Sequence, residues 1–564
     1  MGIRTIKQFR LTREYRRKEV KTGLLWIAIL LSTVGRSHGQ EPTLVIENAR
    51  IIVGNGMVKD VATVVITGDR IQSISANNPQ LKDVKRIDAR GRTLMPGLID
   101  THVHFFGLMG QGQAAFRAQI KTLAPKYMKD FIQHGVTTVK SSADPLDLVL
   151  ELRTMVNDGK ILGPRILLVG PCFTAPGGHP AVTLGRDDPW MRSEIAIEVD
   201  DEDTARREVR RLAEKGVDAI KAAVEAGQGT GMPDAMPRLS ANVLRAIVDE
   251  AHQHKLRATV HTHREQDVID AIESGADGVE HGVWDSILRD NRLADLLLKR
   301  NVNYTPTLWA WSLDKESKSF EIAKQNLKFL SDKGGHISLG TDTLCSMPRP
   351  GFNTIQEMEF MAEAGLTPEK IISAGTQNAA EHLGLLDDLG TIESGKIADL
   401  IIIAGDPLKD ISLLHHIQIV IKAGQVVYNV EAEATTPKGV PADCNPVSWF
   451  EIPVTDMPRA RAFYEHVLNV KLLPLNVGPL EMAFFPMRPG TTGAAGALMK
   501  GEAFQPSQLG VQIYFTTPDV DGTLQRVQEQ AGKVVLPKTR IGLLGFIASF
   551  EDSEGNRIGL RSWQ

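Results

Sequence analysis

Two histidines one residue apart, His102 and His104, end the stretch LMPGLIDTHVH at positions 94–104. In extended backbone successive side chains alternate faces, so both imidazoles project one way and Val103 the other. About 7 Å of backbone separates them, close enough to converge on a single metal ion. Alone, the pair fits two polar residues on a solvated strand face equally well. Further along come Lys221 in VDAIKAAV, His261 in ATVHTH, His281 in GVEHG and Asp342 in LGTDT. Each taken singly has a bland explanation: Lys221 could reach the surface along its stem, and His263 could be solvated. Five apolar runs that each end in a metal-competent group are read together as one site.

The elements that must carry these residues alternate between strand and helix. Strands are predicted at Gly97–His104, Gly135–Ser141, Arg165–Phe173, Val217–Val224, Arg257–His263, Ala276–Gly282, Asn303–Leu308 and His336–Thr343. Amphipathic stretches such as TARREVRRLAEKG (204–216) and SANVLRAIVDEAHQHK (240–255) separate them. Eight strands with helical connections over about 250 residues fit a parallel (β/α) barrel, whose active sites lie at the C-terminal strand ends. A doubly wound open sheet is the alternative, but no Gly-x-Gly-x-x-Gly follows a first strand. Strand-rich segments flank this region on both sides, at 43–88 and 390–429, and predict one small sheet domain that the chain leaves and re-enters.

The chain of 564 residues is too long for one ordinary core. Its net charge of -4 and 23% charged residues describe a globular protein with no basic array for nucleic acid. Three cysteines, Cys172, Cys345 and Cys444, allow at most one internal disulfide and show no zinc-finger spacing. The N-terminus has a basic stretch, the apolar run LLWIAILLSTV (24–34), then Ser37–His38–Gly39. That is the order of a secretory signal peptide cut before Gln40, which predicts export to the periplasm or medium. A short uncleaved anchor and a buried helix are the alternatives. Residues 431–446 are polar with three prolines and read as a linker. From Val447 a strand, the helix MPRARAFYEHVL and three short strands are followed by GVQIYFTTPD, the helix VDGTLQRVQEQAG and strands ending in FEDSEGNRIGL. Two βαβββ units make a separate α+β domain over 447–564.

LMPGLIDTHVH, VHTH, VEHG, GTDT and the returning GTIESGKIADLIII resemble the amidohydrolase superfamily. More narrowly, they resemble its imidazolonepropionase-like branch, which includes prolidase-type dipeptidases and N-acyl amino acid hydrolases. The resemblance implies a metal-bearing (β/α)8 barrel over 97–384 and a composite β-sandwich from 40–96 and 385–430. It also implies two divalent metals. His102, His104 and Asp342 would hold one; His261 and His281 would hold the other; an N-carbamylated Lys221 would bridge them. Imidazole and carboxylate ligation suits zinc, with manganese, iron and cobalt as alternatives. Such a pair turns a bridging water into hydroxide near neutral pH. Asp342 would be the base and proton shuttle to the leaving amine.

Pro176–Gly177–Gly178–His179 resembles a mouth loop of the same branch, with His179 binding a substrate carboxylate or the tetrahedral oxyanion. An incidental turn is the plain alternative. Tyr304, Trp309 and Trp311 are candidates to line an apolar pocket or to pack the core, and 221–232 reads as a mobile mouth loop. The last domain resembles the vicinal oxygen chelate, or glyoxalase/bleomycin-resistance, family. Metal-using members place His or Gln in the first strand and Glu in the last, where this chain has Trp449 and Gly559. A ligand-binding or assembly role follows there, rather than lyase chemistry.

The reading is a hydrolase of C–N amide bonds acting on a dipeptide or N-acyl amino acid. No nucleic-acid partner is expected, membrane contact is expected only through the N-terminal segment, and self-association is left open. The rivals are a cyclic amide or lactone hydrolase and a ligand-binding protein with an idle barrel.

Overall fold

The computed structural model describes residues 41–562 except 78, 80, 106–111, 187, 228–234, 314–317, 345–348, 432–448, 478–479, 487–493, 503, 510–511 and 541–545. The signal segment, nearly all of the linker and the glycine-rich part of the 221–232 loop lie outside the described residues.

Parallel strands run in chain order round a ring: Leu98–His104, Val136–Ser141, Arg165–Leu168, Cys172–Thr174, Ala219–Ala223, Arg257–His261, Gly278–Glu280 and Asn303–Thr305. The predicted third strand is two pieces, because Gly170 adopts a φ of 70° just before Pro171 and interrupts the run. The predicted eighth strand is reduced to a bridge at Ile337 and a pair at Thr343–Leu344. The ring is therefore two ladders joined at two seams. Asp218 N–H donates to Leu168 O at one; at the other, Tyr304 N–H donates to His336 O and Thr101 N–H to Leu339 O. Helices cover the outside. Asp201 caps Glu202–Glu214 by accepting the Thr204 N–H, and Ala205, Val209 and Leu212, spaced by four and three, form its buried stripe. Ser240 caps Ala241–Gln253 in the same way.

The flanks build one mixed eight-stranded sheet. The N-terminal flank gives Leu44–Ile52, Val58–Thr67, Arg70–Ser75, Lys85–Asp88 and Thr93–Pro96, and the C-terminal flank gives Leu400–Ile403, Ile417–Lys422 and Gln425–Asn429. All eight strands are connected by hydrogen bonds into one curled sheet. The strand Leu44–Ile52 shifts register around Asn48, whose φ is 55°, so its first half pairs with Lys85–Asp88 and its second with Thr93–Pro96. At the far edge Arg70 bridges Ile397, and Ile71 N–H donates to Lys396 O. The curl encloses Ile46, Ile51, Val64, Ile71, Ile402 and Ile419 in one apolar cluster. Arg50–Asp406 at 2.9 Å and Arg70–Asp388 at 2.8 Å join the two flanks.

In the C-terminal domain, one sheet orders its strands Trp449–Pro453, Ala495–Lys500, Leu480–Phe484 and Leu473–Val477. The other orders Tyr514–Thr516, Arg557–Ser562, Phe546–Glu551 and Lys533–Arg540. The helices Met457–Leu468 and Val520–Glu529 each start at an aspartate cap, Asp456 and Asp519. Ile452, Phe463 and Tyr464 of the first unit share a core with Val527, Phe550 and Leu560 of the second. A Cβ at Gly559 would lie 2.4 Å from the Tyr514 ring, so a side chain there would have to displace that ring.

Candidate active site

His102 and His104 project together from the first barrel strand while Val103 enters the core behind them. Their Nε2 atoms are 3.2 Å apart. Asp342 closes the group, with Oδ1 2.9 Å from His104 Nε2 and 3.3 Å from His102 Nε2. Its place is fixed by the backbone, because Asp342 N–H donates to His102 O. Below it Asp100 accepts from the Thr341 N–H and from the hydroxyls of Thr341 and Thr354. Asp342 adopts a φ of 59° and His281 one of 68°, left-handed backbone that costs a non-glycine residue on the order of 1–3 kcal/mol. Both turns swing a strand-end side chain inward.

Lys221 brings its Nζ to 3.1 Å from His102 Nε2 and 2.8 Å from Glu280 Oε2. The other Glu280 oxygen, Oε1, lies 2.6 Å from Lys140 Nζ. Neither Glu280 nor Lys140 was among the residues singled out from sequence. Both are sealed, at 0% and 1% exposure. Burial works against the charge on Glu280, but His102 and the two lysines overcome it and hold the carboxyl well below its usual range.

His261 and His281 face each other with ring centroids 4.4 Å apart, and His281 lies 4.9 Å from His102. His179 stacks obliquely on His261 at 4.4 Å, and its Nδ1 is held at 2.8 Å by Thr183 Oγ1. Glu225, four residues beyond Lys221, is a further group not singled out from sequence. Its Oε2 is 2.7 Å from His261 Nε2, and its Oε1 is 3.3 Å from His263 Nδ1. The His263 ring lies flat on Trp284 at 3.8 Å, and Trp284 stacks on Trp311. Of the aromatic candidates only Trp311 neighbours the cluster, 6.0 Å from His281. Tyr304 is buried with its hydroxyl on the Val283 N–H, and Trp309 is buried with Nε1 on Gln356, so both are packing residues.

Burial lowers His102 to about 4 and His179 to about 3, and holds His281 well below the usual imidazole value. All three are neutral at pH 7, so each keeps a lone pair for a cation. Among the described residues the donors fall into three groups within 4.8 Å: His102, His104 and Asp342; His102, Glu280 and His281; and His179, Glu225 and His261. Each group joins two imidazoles to a carboxylate, the donor chemistry of a divalent transition metal. Lys221, as an ammonium, is a counter-ion and offers no lone pair.

A parallel barrel with neutral imidazoles and carboxylates gathered at its C-terminal strand ends defines a metal-competent hydrolase. The profile of the Amidohydrolase family matches residues 93–427, and the chain belongs to that family, whose relatives here are hydrolases of carbon–nitrogen bonds. Residues 447–560 match the Glyoxalase/Bleomycin resistance protein/Dioxygenase superfamily. The chain is 28% identical to ochratoxinase of Aspergillus niger over 57% of its own length and 72% of that protein's. It is 24% identical to imidazolonepropionase of Geobacillus kaustophilus over 68% and 91%. Among solved structures, a Xaa-Pro dipeptidase with bound methionine aligns at 28% identity and a TM-score of 0.59, covering 68% of this chain and 99% of that one.

Proposed function

We propose that the chain hydrolyses the amide bond of a dipeptide or N-acyl amino acid. The carrying observation is the Asp342 carboxylate, set between His102 and His104 with 22% of its side chain exposed while His102 beside it is sealed. An anionic group held between two imidazoles can take a proton from the attacking water. It can then return that proton to the departing amine nitrogen. His102, His104 and Asp342 would hold one divalent cation, zinc by donor type, and His261 and His281 the second, with an N-carbamylated Lys221, which offers anionic oxygens in place of an ammonium, between them. When bound, the cations supply Lewis acidity and an acidified water.

His179 fits substrate recognition. Thr183 fixes its Nδ1, which leaves Nε2 to meet a substrate carboxylate or the oxyanion of the tetrahedral intermediate. Trp311 and Trp284 give one flank of the cluster an apolar wall. The similarity to a Xaa-Pro dipeptidase supports a linear amide with a free carboxylate.

The test is a panel of Xaa-Pro dipeptides, N-acyl amino acids, ring amides and lactones, assayed with the full chain after zinc and bicarbonate reconstitution. Hydrolysis of the linear, carboxylate-bearing members is expected. Turnover of ring substrates alone would replace this reading with a ring hydrolase. Tight binding without any turnover would replace it with a binding protein.

A further inference from the structure

We propose that Glu225 is the positioning residue of His261, fixing which ring nitrogen that histidine offers to the second cation; the inference rests on the site reading above. Three buried imidazoles of the cluster each turn one ring nitrogen to a side chain behind them. His102 turns Nδ1 to Glu280 Oε2 at 3.3 Å, outside hydrogen-bond geometry, and keeps Nε2 toward His104 and Asp342. His281 gives Nδ1 to Thr307 Oγ1 at 2.9 Å. His261 is engaged the other way round, through Nε2, at 2.7 Å from Glu225 Oε2.

A neutral imidazole carries one N–H and one lone pair, and a carboxylate accepts only. As a ligand, His261 would therefore carry its proton on Nε2, toward Glu225, and its lone pair on Nδ1. A carboxylate behind a ligating histidine both fixes the ring and raises its basicity. Glu225 is itself braced. It is 1% exposed, so water does not compete for it, and His263 Nδ1 stands 3.3 Å from its second oxygen. That histidine is clamped flat against Trp284 with an interplanar angle of 10°. No partner in hydrogen-bond geometry reaches Oε1 among the described residues. The rival reading is direct ligation, since Glu225 also lies within 4.8 Å of His179 and His261 donor atoms.

Zinc titration of metal-stripped full-length protein against a chromogenic chelator, without substrate, separates these. Glu225→Gln keeps an acceptor for the Nε2 proton but is a poor zinc ligand; Glu225→Leu keeps neither. Orientation predicts that the glutamine variant binds both ions close to wild type. The leucine variant should lose about 10–100-fold in affinity for one ion only. Glu225→Ala serves the same comparison if the leucine variant does not fold. Loss of one ion in both variants would show direct ligation and overturn the proposal, as would two unchanged ions in both. A wild type that takes up fewer than two zinc ions would instead overturn the parent reading of the site, and the proposal with it.

Discussion

Lys140 and Glu280 form a 2.6 Å ion pair inside the barrel, beneath the histidine cluster, with about 1% of either side chain exposed. Removing one partner of a buried pair strands the other's charge away from water, at about 3–5 kcal/mol. Lys140→Met is expected to lower the melting temperature strongly. In the metal-free protein with Lys221 unmodified, that lysine also neutralises Glu280, so the loss there should fall short of a fully orphaned carboxylate. The double variant Lys140→Met/Glu280→Leu should lose less than the two single losses combined, and a thermal-melting double-mutant cycle reads the difference.

Asp342→Asn keeps the shape of the strand-end turn and removes the proton acceptor. A drop in kcat of about 10²–10⁴ is expected with an unchanged melting temperature. An unaltered kcat would remove Asp342 from the proton-transfer role.

Elemental analysis of protein grown with bicarbonate tests the bridging role proposed for Lys221. Two metals per chain are expected in the wild type and one or none in Lys221→Ala. One metal in both would confine Lys221 to its observed pairing with Glu280.

His382 is buried against Gly278, and neither of its ring nitrogens has a hydrogen-bond partner among the described residues. Burial lowers it to about 3 from the ordinary 6.5. The unfolded chain takes up this proton below pH 6.5 while the folded chain refuses it until about pH 3. Its stability contribution is therefore intact above pH 6.5 and is lost progressively as the pH falls toward 3. His382→Leu should flatten the acid limb of stability against pH between those values. An unchanged limb would place the acid sensitivity elsewhere.

The polar side of the site was legible where strand alternation applies. His102 and His104 share a face as their spacing requires, and Lys221 and His261 sit on neighbouring strands in the order read. Glu280 was not legible, because it adjoins His281, and alternation puts two adjacent residues on opposite faces. The left-handed turn at His281 brings both inward. Lys140 in VTTVKSS looks like a solvated lysine, since the carboxylate that buries it arrives 140 residues later. Glu225 gave a signal only in hindsight: a charged residue just past an all-apolar strand end. Gly170–Pro171, by contrast, was a visible break inside the predicted third strand. The register slip at Asn48, which curls the flanking sheet, has no marker in IENARIIVG.

That curl has a consequence for biogenesis. The middle of the sheet is Thr93–Pro96 paired with Leu400–Ile403, so its N-terminal strands wait, edges bare, until the whole barrel has been made. A ribosome stalled before Leu400–Ile403 holds a chain whose N-terminal sheet strands lack their central partner. A recombinant truncation meant to isolate the catalytic unit keeps the whole sheet when it ends beyond Asn429.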